Sequence, residues 1–286
     1  MKKLLSSMLV IAMAMTMFVG CGPATETVPA DTTEVTSDAA ADTTADAAAT
    51  QTSDRTKFVV GFDAEFPPFG FMDDNGEYTG FDLELAEEVC SRKGWELVKQ
   101  PIDWDSKDME LSSGSIDCIW NGFTIQGRED DYTWSVPYID NSQVFVVKAD
   151  AGIAAPADLA GKAVGVQKDS SALAALEGDA ADLAAAFGDM IQYADYNTAF
   201  MDLEAGATDA VAIDKGVADY QIKERGDGYV ILDEKLATEQ YGIGFLKGND
   251  SLKDEVEAVL LEMAADGTFM TIAEKYELTD SVCLGK

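Results

Sequence analysis

The sequence predicts an α/β protein of two lobes, each with strands and helices in the same order. Two repeats carry that expectation. "KFVVGFD" at 57 is answered by "KAVGVQKD" at 162, and "MELSSGSIDCIWN" at 109–121 by "MDLEAGATDAVAID" at 201–214. The second pair shares Met-acid-Leu, then a glycine, an aspartate and an apolar strand. Members of each pair lie about a hundred residues apart and in the same order, which points to a repeated βα plan. In addition, polar residues collect where the apolar strands stop, which is where open α/β sheets bind ligands.

The chain opens with "MKKLLSSMLVIAMAMTMFVGCG": Lys2 and Lys3, an apolar run, then small residues before Cys21. Residues 1–21 therefore read as a signal peptide. Its Gly-Cys end resembles a lipobox, in which Cys21 becomes the lipidated first residue of a bacterial lipoprotein. An uncleaved signal anchor is the other reading. Residues 22–56 are mostly Ala, Thr, Asp and Ser, with almost no large apolar side chain. Such a stretch cannot bury enough surface to offset its ordering entropy, so a disordered, self-repelling tether is expected.

The texture changes at Lys57. A strand is expected over Lys57–Phe62, then a Pro-containing loop, then a hairpin turned at Asn75-Gly76. Asp82 reads as the N-cap of a helix with acids in its first turns, Arg92 and Lys93 in its last, and Gly94 at its stop. "WELVKQPI" is the next strand. Gly114 and Gly206 close the helices of the two repeats, and the strands after them end at Asn121-Gly122 and at Asp214. Ser170 and Ser171 open a helix in the second half. Apolar strands near Gln143–Val147 and Gln240–Phe245 lie between the repeats and are expected to join the lobes. The first lobe is expected over 57–146 and 242–286, the second over 147–241.

Acids outnumber bases 53 to 20, a net charge of −33. That balance argues against nucleic acid and anionic lipid surfaces as partners. The chain has no histidine, so mechanisms that need a histidine base, and most zinc sites, are ruled out. No metal or cofactor is expected. Beyond Cys21, the cysteines Cys90, Cys118 and Cys283 are odd in number and lack CxxC spacing, so they form no full disulfide framework, though one bridge among them stays open. Cys118, in an apolar run, reads as a small buried hydrophobe. No later segment is long and apolar enough to span a membrane.

If the lobes face each other, Asp63, the run from Asn121 to Thr124, the run from Gln167 to Ser171, and Asp214 line one cleft. Gly122 offers a carbonyl and a close backbone approach, and Thr124 a hydroxyl. Ser170 and Ser171 sit at a helix start, whose free N–H groups attract an anion. Arg128 offers a guanidinium whose fork fits a carboxylate. Asp214 offers an anion. The set suits a zwitterion, with its carboxylate on Arg128 and the second-lobe helix start and its ammonium on Asp214. Plainer readings stand beside these: Arg128 as a surface charge paired with Glu129 or Asp130, Ser170 as an N-cap, and Asp214 as a cap before "KGVADYQIKERG".

Taken together, "FDAEFPPFGF…GEYTGFDLELA", "SSGSIDCIWNGFTIQGR", "SVPYIDNSQVFVV", "DLAGKAVGVQKDSS", "AGATDAVAIDKGVADY", "YGIGFLKG" and "MAADGTFMTIAEKYE" resemble family 3 of the bacterial extracellular solute-binding proteins, over about residues 57–280. The resemblance implies a two-lobed type II periplasmic-binding fold, a Venus flytrap. Each lobe is then a mixed sheet flanked by helices, and two crossover strands join the lobes around one amino acid. It also implies roles. Arg128 would grip the α-carboxylate and Asp214 the α-ammonium, with Gly122, Thr124, Ser170 and Ser171 alongside. Phe66 and Trp104 would sandwich the ligand, against a plainer reading of each as a core aromatic. "TIQGR" is one residue shorter between Thr124 and Arg128 than the family usually has.

The expected function is that of an extracellular, lipid-anchored, monomeric receptor that delivers an amino acid to the permease subunits of an ABC importer. The alternatives are a ligand-sensing domain acting on a membrane partner and a dehydratase-type enzyme on the same scaffold. The enzyme would need a buried acid–base pair, for which Asp63 and Glu65 are the nominees. Asp63, Glu65 and Asp105 disfavour acidic ligands, because repulsion in a closed cleft is costly. Polar or basic amino acids, including cystine, fit better.

Overall fold

The computed structural model describes residues 55–286. The expected signal peptide, the lipidation at Cys21 and all but the end of the expected tether lie outside the described residues. From Lys57 the chain runs through β1 (Lys57–Phe62), β2 (Glu65–Phe66), β3 (Gly70–Met72), β4 (Tyr78–Thr79), α1 (Phe81–Lys93) and β5 (Glu96–Pro101). It continues through α2 (Lys107–Ser113), β6 (Cys118–Ile119), β7 (Tyr132–Trp134) and the long β8 (Ile139–Lys148). The second repeat is β9 (Ala163–Gln167), α3 (Ser171–Glu177), α4 (Ala181–Ala184), β10 (Asp189–Tyr193), α5 (Tyr196–Ala205) and β11 (Ala210–Asp214). Then come α6 (Lys215–Arg225), β12 (Tyr229–Ile231), β13 (Ala237–Tyr241), β14 (Gly244–Leu246), α7 (Asp250–Asp266) and α8 (Thr268–Lys275).

The repeats build two sheets on one plan. The first has the order β5-β1-β6-β14-β7, and the second β10-β9-β11-β8-β12, with β13 also on β8. In each, three parallel strands meet an antiparallel fourth: β14 on β6, and β8 on β11. Gly114 and Gly206 end the matching helices in the left-handed conformation, at φ 76° and 78°, a geometry that disfavours side chains other than glycine's. The strands that join the sheets are placed a little differently from expectation. The linking ribbon pairs residues 139–143 of β8 with 237–241 of β13, whereas Val144–Val147 already belong to the second sheet and Gly244–Phe245 to the first. One apolar cluster, including Phe66, Phe69, Tyr196 and Val217, spans both sheets, and a separate cluster covers the far face of each. Cys90 and Cys118 are buried, Cys283 is half-buried, and all three are free thiols, so no disulfide forms among them. No described helix is long and apolar enough to cross a membrane.

Asp82 departs from the sequence reading. The helix starts one residue earlier, at Phe81, with Gly80 as its N-cap. Asp82 is instead fully buried in the first turn. Its Oδ2 accepts hydrogen bonds from the Gly122 amide at 2.6 Å and the Tyr138 hydroxyl at 2.9 Å. Burial pushes its carboxyl up to about 7, against the pull of those donors. A carboxyl with a raised pKa holds its proton more tightly in the folded chain than in the unfolded one. Its contribution to stability is therefore full below pH ~4 and is lost as pH rises through about 7. Denaturant midpoints should be higher at pH 5 than at pH 8, and Asp82→Asn should flatten that difference. An unchanged pH slope in Asp82→Asn would exclude this role.

Candidate functional site

The strands of both sheets stop at the same gap, and the residues just beyond them meet across it. Asp63, after β1, accepts from the Glu65 amide at 2.8 Å and from Gln167 Nε2, at the end of β9, at 2.7 Å. Gln167 also donates to the Ala194 carbonyl, which fixes its amide. Burial pushes the Asp63 carboxyl up to about 6. Glu65 takes a second bond across the gap, from Asn197. Phe66 lays its ring 5.9 Å from that of Tyr196 and 6.0 Å from that of Phe69. Gly122 has φ 57°, and a Cβ there would come within 2.9 Å of Phe66, so both backbone and space require glycine.

Arg128 reaches furthest. The short loop before it is a turn in which the Arg128 amide donates to the Ile125 carbonyl at 3.0 Å, with Gly127 at φ 81°. This turn takes up the missing residue and still sends the side chain into the gap. The guanidinium donates to Ser171 Oγ at 2.9 Å, the Asp169 carbonyl at 3.1 Å and the Thr124 carbonyl at 3.4 Å, and lies 5.3 Å from the Phe123 ring centre. Among the described residues Arg128 forms no ion pair with Glu129, Asp130 or any other acid. Two more side chains of the first half hold the same turn. Trp104 Nε1 donates to the Asp169 carbonyl at 3.2 Å, and the buried Lys107 pairs with the Asp169 carboxylate. Asp169 itself sits at φ 54°, unusual for a non-glycine residue. A cavity of about 600 Å³ adjoins this cluster, lined among others by Lys107, Arg128, Ser170 and Ser171.

Ser170 is the N-cap of α3, and its hydroxyl oxygen accepts from the Leu173 amide at 3.1 Å. Its own O–H stays available as a donor. Asp214 occupies the N-cap position of α6 but makes no capping bond. Its Oδ1 instead accepts from Tyr241 Oη at 2.6 Å, Gln143 Nε2 at 2.8 Å and Asn141 Nδ2 at 3.0 Å. Burial raises its carboxyl above the usual carboxylate range. Trp104 stacks edge-on with Phe123 at 5.4 Å and has no ring contact with Phe66, so the two aromatics, both from the first half, do not meet.

Several site residues escaped the sequence reading. Tyr196 lies fully buried at the start of α5, directly after the carboxyl end of β10. Burial pushes its hydroxyl up, and next the charge of Asp214, with Glu239 and Asp63 adding to it and the nearby Ser170 hydroxyl pulling the other way, which places it close to groups at both ends of the site. Asn141, Gln143, Glu239 and Tyr241 alternate along the paired strands β8 and β13. Asn141 and Gln143 lie in the continuous polar run Asp140–Gln143 and Glu239 in Thr238–Gln240, so periodicity along either strand does not single them out. For Lys107 no local signal exists, since only its burial against Asp169 distinguishes it.

This geometry can be set beside known proteins. The family model of bacterial extracellular solute-binding proteins, family 3, matches residues 58–279. The L-cystine-binding protein TcyJ of Escherichia coli (strain K12) is 32% identical over 226 residues, spanning 78% of this chain and 83% of that protein. An ABC uptake transporter substrate binding protein from Streptococcus pneumoniae with bound histidine superposes with a TM-score of 0.77 at 33% identity, over 79% of this chain and 94% of that one. An ancestral arginine-binding protein bound to arginine gives a TM-score of 0.72 at 36% identity, over 78% and 98% of the two chains. These relatives are solute-binding proteins, not enzymes, and their fold is the two-lobed type II periplasmic-binding fold. The chain belongs to the bacterial extracellular solute-binding proteins, family 3.

Proposed function

We propose that the protein captures one free amino acid in the gap between its sheets and delivers it to the permease subunits of an ABC importer. The observation that carries this reading is the separation of charge across the gap. A guanidinium from the first half faces hydroxyls of the second at one end, and a buried carboxyl with converging donors stands at the other. The ligand's carboxylate sits on Arg128, Ser170 and Ser171, with Gly122 and Thr124 alongside. Its ammonium sits on Asp214, and Phe66 and Trp104 flank the side chain. Buried acids on both sides of the gap favour a polar, basic or cystine-like ligand. The cystine, histidine and arginine named for the relatives agree with that class. A lipid on Cys21, carried through residues 22–56, then holds a monomeric receptor at the outer face of the cytoplasmic membrane.

Each charge in the closed gap is desolvated, so removing one protein partner leaves a ligand charge buried alone, at a cost of roughly 2–5 kcal/mol. Calorimetry with a panel of free amino acids should find a ligand that binds wild type. Affinity should fall about 30-fold to several thousandfold in Arg128→Ala and in Asp214→Asn. Arg128→Lys should recover only part, because an ammonium cannot reproduce the fork. Arg128→Ala within threefold of wild type would remove the arginine from the site. The six bonds that tie the sheets across the gap also imply that ligand favours closure, so the scattering radius should shrink at saturation. An unchanged radius would oppose closure. Cys21→Ala should release the domain into the medium with binding intact, and a variant that stays membrane-bound after signal cleavage would exclude the lipid anchor.

A further inference from the structure

Glu239 was absent from the expected site, yet it shares its surroundings with Asp214 almost atom for atom. The two amides that bind Asp214 Oδ1 bind Glu239 Oε1 as well: Asn141 Nδ2 at 2.6 Å and Gln143 Nε2 at 2.7 Å. Each NH2 group has two hydrogens. Asn141 and Gln143 therefore act as a double clamp, drawing two carboxyls from different strands together. All of this is buried: Gln143 is 0% exposed, Asp214 4% and Glu239 6%. None of the ion pairs among the described residues involves either acid. Two carboxylates this close and this dry cannot both stay ionised without a cation, so the free pair holds one proton between them.

The neighbourhood has acceptors to spare. Two buried oxygens, Tyr196 Oη and Gln143 Oε1, have no hydrogen-bond partner. Unpartnered buried polar atoms are costly, and an incoming donor would relieve them. An ammonium carries three donors and one positive charge. It would meet two carboxylates and an unpartnered oxygen, while the two amides stay clamped as they are. The other titratable groups around the pair are Tyr241 on the same strand as Glu239, Tyr196 on α5, and Asp63 across the gap beyond Tyr196. Lys215, next in sequence to Asp214, is half-exposed and pairs outward with Asp219.

We propose that Glu239 is a second carboxylate for the ligand's ammonium, so that amino-acid binding expels the proton the Asp214–Glu239 pair holds when free. As the ammonium enters, the shared proton leaves to solvent and both carboxylates become ionised. The charge balance is one cation in and one proton out. The proposal rests on the amino-acid-binding reading given above. Burial, and next the charge of Asp214, push Glu239 up to about 8, which sets the window. Below that value the free pair holds its proton and the bound pair does not, so binding tightens as pH rises toward about 8.

The test uses calorimetry with L-arginine and L-cystine as probes, in buffers of differing ionisation enthalpy, between pH 6.5 and 7.5. That range lies above Asp63, which burial places at about 6. The expected result is release of close to one proton on binding, with affinity rising about tenfold per pH unit. Glu239→Gln, whose amide mimics the protonated acid, should bind with proton release and pH slope both largely abolished. Binding by wild type with no proton release and a flat profile would overturn the proposal and leave the binding reading intact. Unaltered proton release in Glu239→Gln would also overturn it. If neither probe nor any other amino acid binds, the binding reading fails and this inference fails with it.

Discussion

A guanidinium that leaves one sheet and enters the gap before another must find acceptors on the far side, and the architecture is arranged around that need. Arg128 reaches the Asp169–Ser171 turn of the second half, with Trp104 and Lys107 holding the same turn from beside it. For this to work, β1, β6, β9 and β11 must end at one place, and the duplicated plan ensures that they do. The ribbon of β8 and β13 sets how far apart the two ends lie. A half-buried cation with only neutral acceptors is incompletely compensated, which makes it a good receptor for an incoming carboxylate.

The acids divide in a telling way. Among the described residues most acids lie outside the core, and the full chain, with 53 acids, is strongly anionic. Four are buried near the gap: Asp63, Asp82, Asp214 and Glu239. Asp82 touches no ligand position itself, but it grips the Gly122 amide and so positions the backbone on which the first half presents Gly122 and Thr124. Asp63 bridges to Gln167 across the gap. Asp214 and Glu239 share one clamp of amides. In each case burial raises the carboxyl and hydrogen bonds pull against it, so these four groups are poised.

Much of this could be read from the sequence, and the part that could not has a physical reason. The repeat at 109 and 201 carried both helix-ending glycines and both strand ends, because turn chemistry and apolar periodicity are local. Arg128 and the Ser170–Ser171 pair could be nominated together because each follows a strand end of its own half, and the structure brings Arg128 and Ser171 into contact. Asp82 was misread because an acid in a first helical turn has an obvious local use, and only the tertiary contact with Gly122 and Tyr138 shows another. Glu239 was missed because its partners lie 25 and nearly a hundred residues away in sequence, on β11 and β8. Pairing between strands, not spacing along one, places it beside Asp214.

In the proposed complex one amino acid lies between the sheets with its carboxylate toward Arg128 and its ammonium toward Asp214. A crystal structure of the protein with the amino acid it carries from expression tests this most directly. The carboxylate oxygens should lie within hydrogen-bond reach of the Arg128 guanidinium and a serine of the 170–171 pair, and the ammonium within reach of Asp214. The contradicting result is specific as well. A groove of about 750 Å³ beside the linking ribbon, on the outer side of Asn141 and Glu239, is lined by Lys215, Lys223, Lys235 and Lys275. An amino acid seated there, with its carboxylate on those lysines and Arg128 still on Ser171, would show that the gap between the sheets is not the binding site.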